Sequence, residues 1–203
     1  MYQVKSKFML LLLTLVLTMP SWAKSGDVVT AENRVLGVTS SIVRLLETNR
    51  AQYSQDTAAL NAMVRREILP FIDFDAMAKL TLGKHWRKAN SQQRARFINA
   101  FREMLVRSYA KAMLKYTGAN IRGGNSVAKK KPGYVMVRTI VKPKGASAIK
   151  ANYSVRKVSG DWKAYNVEIA GINLITNFRT NFTREVSEKG LEALITRIEK
   201  IGK

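Results

Sequence analysis

The fold of this chain is decided by residues 69–116, which read LPFIDFDAMAKLTLGKHWRKANSQQRARFINAFREMLVRSYAKAMLKY. Within this stretch, we expect Ser91 to cap a long helix that ends near Tyr116 and closes at Gly118. Its apolar residues recur about one helical turn apart, and others widen that face beyond a single stripe. The recurring residues are Phe97, Phe101, Leu105, Tyr109 and Ala112, and the widening residues are Ile98, Met104 and Met113.

The apolar surface of residues 69–116 exceeds what one face of a sheet requires. Phe71, Phe74, Met77 and Leu80 add to it just before the long helix. Two interpretations follow: an ordinary hydrophobic core, which periodic stripes usually indicate, or one wall of an apolar cavity. Periodicity alone does not separate a filled core from a lined cavity.

Alternating apolar and polar residues predict strands after Gly118. We expect three long strands, at residues 134–141, 147–158 and 161–169, and a shorter strand around Ile121. Helices are expected on both sides of these strands: about 28–50, 57–70 after an Asp56 cap, 74–82 ending at Gly83, and 175–201 in two parts. This order predicts an α+β fold, in which a curled antiparallel sheet of about four strands carries helices on one face.

The expected sheet has an apolar face and a basic face. In the second long strand, Ile149, Ala151, Tyr153 and Val155 alternate with Lys150, Asn152, Ser154 and Arg156. The apolar face continues on the neighbouring strands with Val135, Val137, Thr139 and Val141, and with Tyr165, Val167 and Ile169. We expect the long helix to cover this apolar face.

The N-terminus has the layout of a cleaved secretory signal. Two lysines precede an apolar run at residues 8–17, and a small-residue pattern follows at residues 21–23. The run is shorter than the roughly 20 residues that a membrane-spanning helix needs. We therefore expect residues 1–23 to be a cleaved signal peptide, residues 24–203 to form a single domain, and the mature protein to reach the periplasm.

The chain contains no cysteine and is strongly basic. The lack of cysteine excludes a disulfide framework, a thiolate metal site, a cysteine nucleophile and a cysteine-linked lipid anchor. The formal net charge is +21, and residues 104–160 contain no Asp or Glu. Such a field attracts anionic surfaces. Export disfavours nucleic acid as the partner and favours anionic lipid or an acidic protein, while a merely solubilising surface is equally compatible.

No residue pattern predicts an enzyme. The single histidine, His85, lies among cations, and we expect it to be a structural or surface residue. Asp73 and Asp75 follow Pro70 and fit helix capping better than acid–base chemistry. Glu168 alternates in the opposite phase to its apolar neighbours and should face away from any pocket. Without a nucleophile motif, a phosphate-binding loop or metal-ligand spacing, we expect no catalytic residue, metal or cofactor.

Several short motifs, spread over the whole mature chain, carry a family resemblance. They are Ile68-Leu69-Pro70-Phe71, Leu82-Gly83, Trp86 with Ala89, Gln93-Arg94 followed by Phe97, Ala100-Phe101-Arg102-Glu103, Leu105, Tyr109 and Tyr116, and later Asp161-Trp162-Lys163-Ala164-Tyr165-Asn166-Val167 and Gly171-Ile172-Asn173-Leu174-Ile175. In order and spacing these motifs resemble the MlaC family, the periplasmic phospholipid-binding proteins of the Mla intermembrane transport system, also known as toluene-tolerance auxiliary components.

The resemblance implies a soluble, monomeric periplasmic carrier that binds a glycerophospholipid by its acyl chains. The expected partners are an outer-membrane lipoprotein–porin Mla complex and an inner-membrane ABC transporter with an MCE-domain ring. Exchange of lipid between them would maintain outer-membrane lipid asymmetry, with the phospholipid as cargo and no role for nucleic acid. The alternative is a pocketless periplasmic adaptor that docks on acidic partners through its basic face.

Together with the apolar sheet face and the export signal, the resemblance favours a cavity wall as the role of residues 69–116. Aromatic and aliphatic side chains suit acyl chains, and Met adapts to varied chain shapes. We expect the apolar lipid cavity to be lined by Phe74, Met77, Phe97, Phe101, Leu105, Tyr109, Val135, Val137, Tyr153, Val155, Val167, Ile169, Ile175 and Phe178.

Overall fold

The computed structural model describes residues 26–201, in which helices precede and follow a set of strands. The helices are α1 (Gly26–Thr48), α2 (Arg50–Gln55), α3 (Thr57–Glu67), α4 (Phe74–Leu82), α5 (Lys84–Lys88), α6 (Ser91–Met113), α7 (Leu174–Lys189) and α8 (Leu191–Ile201), with 3₁₀ turns at Leu69–Phe71 and Leu114–Tyr116. The strands are β1 (Asn120–Gly123), β2 (Val127–Ala128), β3 (Tyr134–Lys142), β4 (Ile149–Val158), β5 (Asp161–Ile169) and β6 (Ile172–Asn173).

This architecture confirms the predicted α+β class. The predicted signal peptide, residues 1–23, lies outside the described residues. Within the described part of the chain, no helix is both long enough and apolar enough to cross a membrane.

Side-chain caps set where the helices begin. Asp56 caps α3 and Asp73 caps α4, since each carboxylate accepts the backbone N–H three residues further on. The prediction that Ser91 caps the long helix is wrong. Asn90 has this role, because its side chain accepts the Gln93 N–H at 2.8 Å while the Gln93 side chain accepts the Asn90 N–H at 3.2 Å. Ser91 is therefore the first residue inside α6.

Antiparallel pairing joins the strands in the order β1-β3-β4-β5-β6, and β2 also pairs with β3. The register places Val137 beside Tyr153 and Tyr153 beside Val167, so these three residues form a row across the sheet. The sheet has six strands rather than about four, because β2 and β6 are two residues each and too short to show alternation in the sequence.

A β-bulge in β5 changes the predicted face of Tyr165. Val155 pairs with Ala164, and the next pair of the ladder skips Tyr165, which is the extra residue. Ala164 packs in the apolar cluster beneath the sheet, whereas the Tyr165 hydroxyl accepts a hydrogen bond from Lys129. The prediction that Tyr165 shares the apolar face with Val167 is therefore wrong, since strict alternation does not register an inserted residue.

Helix α1, rather than α6, covers the apolar face of the sheet. Its residues Val28, Ala31 and Val35 are buried against the central strands. We call this cluster the sheet core, which comprises Val28, Ala31, Val35, Phe71, Val135, Val137, Val155, Trp162 and Ala164. The prediction that the long helix covers this face is wrong.

The apolar residues of α6 are divided between two clusters of helices. Val106 and Ala110 pack against residues of α1, α2 and α3. On another side, Phe97 and Phe101 pack with α4, α7 and α8, in a cluster that we call the helical core. Its buried members are Phe74, Met77, Ala78, Leu82, Phe97, Ala100, Phe101, Met104, Ile175, Phe182, Leu194, Ile195 and Ile198. The unusually wide apolar surface of α6 is thus explained in large part by helices packed on two of its sides.

Candidate binding site

The residues predicted to line a cavity fall into three groups. Phe74, Met77, Phe97, Phe101 and Ile175 are buried in the helical core, and Val135, Val137 and Val155 are buried in the sheet core. The third group is only partly buried or exposed, and we call it the apolar rim: Leu105, Tyr109, Tyr153, Val167, Ile169 and Phe178.

A chain of aromatic contacts connects the helical core to the apolar rim. Phe97 stacks on Phe101 with ring centroids 5.5 Å apart, and Phe178 meets Phe101 edge-on at 5.2 Å. Tyr109 extends the chain at 6.4 Å from Phe178 and is itself 40% exposed. Such separations are typical of favourable aromatic pairs. The rim residues of α6 and α7 therefore present ring surface that is continuous with the core.

Tyr153 is the central residue of the rim on the sheet side. It lies between Val137 and Val167 in the register and packs against both the sheet core and a small cluster that includes Val141. Burial of its hydroxyl raises the pKa of Tyr153 to about 12, and Tyr116 adds to the increase. The phenol therefore stays neutral to a higher pH than an ordinary tyrosine.

The helical core and the sheet core meet at Ile72, which packs against both of them; we call this junction the seam. Ile72 forms a parallel bridge with Ala164 at the edge of β5, and the Asp73 N–H donates to the Ala164 carbonyl at 2.8 Å. The Asp73 carboxylate, which caps α4, also accepts a hydrogen bond from Arg156 of β4. These contacts fix one end of the seam, and the rim residue Val167 lies further along β5.

Burial or hydrogen bonds within the fold account for the polar residues that were considered for catalysis. His85 is buried in α5, and burial lowers its pKa, with a further decrease from neighbouring lysines. Asp73 is a helix cap, and Glu168 accepts a hydrogen bond from Asn152 at 3.0 Å. Among residues 26–201, no three side chains of His, Asp or Glu gather as ligands of a metal would.

Two surface cavities lie apart from the predicted lining residues. The larger, of about 500 Å³, lies between the start of α1 and the loop that leads into β3. The smaller, of about 210 Å³, lies between α1 and the turn at Leu69–Phe71. Most of the residues predicted to line a cavity lie in the two packed cores, and at the rim their apolar surface reaches solvent.

No sequence pattern predicts the role of Ile72. It is a single apolar residue between a 3₁₀ turn and a helix cap, so no periodicity reveals which core it joins. Tyr116 belongs to one of the motifs that carry the family resemblance, but no sequence pattern predicts that it approaches Tyr153. That approach depends on the path of the chain from the end of α6 to the sheet.

Comparison with known proteins gives consistent relatives. The family model described as "MlaC protein" matches residues 37–200. The intermembrane phospholipid transport system binding protein MlaC of Haemophilus influenzae is 24% identical over 158 residues, which cover 76% of this chain and 74% of that protein. The toluene tolerance protein ttg2D of Pseudomonas putida is 27% identical over 162 residues, which cover 79% of this chain and 75% of that protein.

A solved structure shares the fold. It is the phospholipid-binding protein from Ralstonia solanacearum in complex with a phospholipid, with a TM-score of 0.77 and 21% sequence identity over 85% of this chain and 96% of that chain. The family match at residues 37–200 extends from α1 into α8 and includes the whole rim. The resemblance inferred from the sequence motifs is confirmed, and the chain belongs to the MlaC family.

Proposed function

We propose that this chain is a periplasmic protein that binds a glycerophospholipid by its acyl chains and carries it as part of the Mla transport system. The observation that carries the proposal is the apolar rim, where partly exposed rings on α6 and α7 continue the helical core. Support comes from the relatives, whose names describe phospholipid binding and transport, and from the bound phospholipid of the structural neighbour.

A carrier of this kind is required by the cost of moving lipid through water. Two acyl chains contain roughly 30 methylene-type carbons, and at about 0.8 kcal/mol each their exposure costs on the order of 20 kcal/mol. A protein that replaces water around the tails with apolar side chains removes most of this cost. Such a site needs no specific polar contact along the tails.

We place the tails between the helical core and the sheet core. They would enter at the rim and separate the two cores along the seam, while the contacts of Ile72 and Asp73 hold the far end together. Buried residues such as Phe101 and Val137 would then form the two walls. Acyl chains replace the side-chain contacts that are lost, so the change in buried apolar surface is small. The phosphate would remain in water at the rim.

The finer assignment follows the resemblance. We propose that the protein shuttles phospholipid between an outer-membrane lipoprotein–porin Mla complex and an inner-membrane ABC transporter that contains an MCE-domain ring. It would act as a monomer and without enzymatic chemistry, since the polar residues near the seam serve as caps and ion pairs.

Native mass spectrometry of the purified protein, followed by solvent extraction, tests lipid binding directly. We expect phospholipid to co-purify, and lipid-free protein to take up phospholipid from vesicles. Absence of both would refute the carrier function and leave the adaptor alternative.

A pair of leucine variants tests the location of the tails. Leu105→Arg places a charge in the rim and should abolish lipid uptake, because a buried unpaired charge is costly beside acyl chains. Leu80→Arg is the matched control, since Leu80 is 38% exposed on α4 and should leave uptake unchanged. Val137 is a poorer choice, because it is fully buried beneath α1 and an arginine there should unfold the protein. Normal uptake by a folded Leu105→Arg protein would contradict the proposed lining.

A further inference from the structure

The larger surface cavity is lined by three lysines and one aspartate among the described residues, and we call it the lysine pocket. It lies between the first turn of α1 and the loop that joins β2 to β3. Its lining residues include Asp27, Lys129, Lys131, Tyr134 and Lys157.

The positive charge of the lysine pocket is only partly neutralised. Lys157 contacts the Asp27 carboxylate at 2.6 Å. Lys129 instead donates to the hydroxyls of Ser154 and Tyr165, both at 2.9 Å, so its contacts are to neutral oxygens. Such contacts hold an ammonium group in place without cancelling its charge.

Lys131 has a similar environment. It lies over the Tyr134 ring at 4.7 Å from the centroid and 3.4 Å from the hydroxyl. Hydrogen bonds from Arg156 and then Lys131 lower the pKa of Tyr134, as expected where positive charge accumulates. Lys129 and Lys131 both line the pocket, and their ammonium groups contact hydroxyls and rings rather than carboxylates.

The lysine pocket is concave, and lysines line it. A concave site of this kind suits a protruding ligand that carries carboxylates. A flat membrane surface would not enter such a depression.

The lysine pocket lies at the opposite end of the sheet from the apolar rim. The pocket residue Tyr134 pairs with Arg156 at the start of β3, whereas the rim residue Ile169 pairs with Ala151 near the start of β4. Ala151 also pairs with Thr139, which is five residues along β3 from Tyr134, so at about 3.3 Å per residue the two positions are roughly 17 Å apart along the strand. A ligand in the pocket therefore leaves the rim accessible.

We propose that the lysine pocket is a docking site for a partner-protein segment that carries carboxylates. Lys129 and Lys131 contact these carboxylates. Complementary charge of this kind accelerates association and fixes the orientation of the partner. This site is independent of lipid binding and is tested separately from it.

The test uses a fluorescein-labelled peptide of repeated Glu-Ala-Val and a second peptide in which Gln replaces every Glu. Fluorescence anisotropy should show binding of the Glu peptide, weakened by salt, and no binding of the Gln peptide. Lys131→Glu should weaken Glu-peptide binding about tenfold. Lys129→Gln, which preserves a polar contact to Ser154 and Tyr165, should also weaken it and guards against misfolding of a charge-reversed variant.

Lys142→Glu is the matched control, since Lys142 is an exposed lysine at the far end of β3. It makes the same charge change and should alter affinity less than about twofold, because screening at physiological salt acts over about 8 Å. Equal weakening by Lys131→Glu and Lys142→Glu would overturn the proposal, as would binding of the Gln peptide. Reduced binding to phosphatidylglycerol vesicles with unchanged peptide binding would also overturn it and assign the lysines to a membrane surface. Lipid uptake should be normal in every variant.

Discussion

The two ends of the sheet differ in what they present to other molecules. Where β3 begins, Trp162 is 4% exposed beneath α1, and lysines surround the larger cavity. Where β5 ends, Val167 and Ile169 are only half-buried, and the nearby Tyr153 is neutral. One sheet therefore has a closed, cationic end and a partly open, apolar end. Under the two proposals above, this difference would separate recognition of charge at one end from binding of apolar chains at the other.

The largest expected effect is on the free energy of unfolding, and it compares side-chain packing at the two ends of the sheet. Trp162→Ala should lower the free energy of unfolding by about 3–5 kcal/mol, because it removes a buried ring and its hydrogen bond to Thr30. Ile169→Ala at the apolar end should cost only about 1–2 kcal/mol, since the side chain is half-buried. Urea denaturation measures both values. Equal losses would show that the apolar end is as tightly packed as the cationic end.

A smaller effect on the free energy of unfolding is expected at Asp73, which fixes one end of the seam. Asp73→Ala should cost about 2 kcal/mol, because it removes the cap of α4 and leaves Arg156 without this acceptor. Asp56→Ala is the control, since Asp56 is an exposed cap of α3, and it should cost about 1 kcal/mol. Thermal or urea unfolding of the two variants gives the comparison. If both cost the same, the Arg156 contact adds nothing to the stability of the seam.

The smallest effect concerns two tyrosines, one at each end. Tyr134 should ionise below the ordinary tyrosine pKa of about 10 and Tyr153 near 12. Because the folded-state pKa of Tyr153 is raised, its contribution to stability is complete below about pH 10 and is lost as the pH rises toward 12. The depressed pKa of Tyr134 acts in the opposite sense, and its ionisation favours the native state as the pH approaches 10.

Absorbance titration of phenolate in Tyr134→Phe and Tyr153→Phe should remove the earlier and the later transition, respectively. Tyr153→Phe should also reduce the loss of stability between pH 10 and 12. The reverse assignment of the two transitions would mean that the cationic and apolar ends are not distinguished electrostatically.

Much of the fold was predictable because it depends on local signals. The alternation of apolar and polar residues predicted the observed bounds of β5. Asp56 and Asp73 were predicted as N-terminal caps, and Gly83, which has a positive φ, was predicted as the end of a helix. The errors occurred where two equally suitable residues compete or where the ladder is irregular. Asn90 forms a reciprocal pair that Ser91 does not, and the bulge at Tyr165 shifts the alternation of one strand.

The site was less predictable than the fold, because apolar periodicity identifies buried faces without naming their partners. The sequence pattern predicted that α6 covers the apolar face of the sheet. In the structure α1 covers that face, and α6 packs among helices. Eight of the residues predicted as lining are divided between the two cores, and the others form the rim. The role of these residues in lipid binding is a proposal that the leucine variants test. Ile72 is an example of this difficulty. It packs against both cores, and no sequence pattern reveals which two surfaces meet at one residue.

The parallel bridge between Ile72 and Ala164 has a consequence for aggregation. Ile72 pairs with the first half of β5 and β6 pairs with its last two residues, while β1 and β2 both pair with β3 at the opposite side of the sheet. An exposed strand edge is a template for another chain, and short pairing segments remove that template. In the carrier proposed above, in which the two cores part to accept a ligand, these short segments would limit the strand edge that neighbouring copies could join.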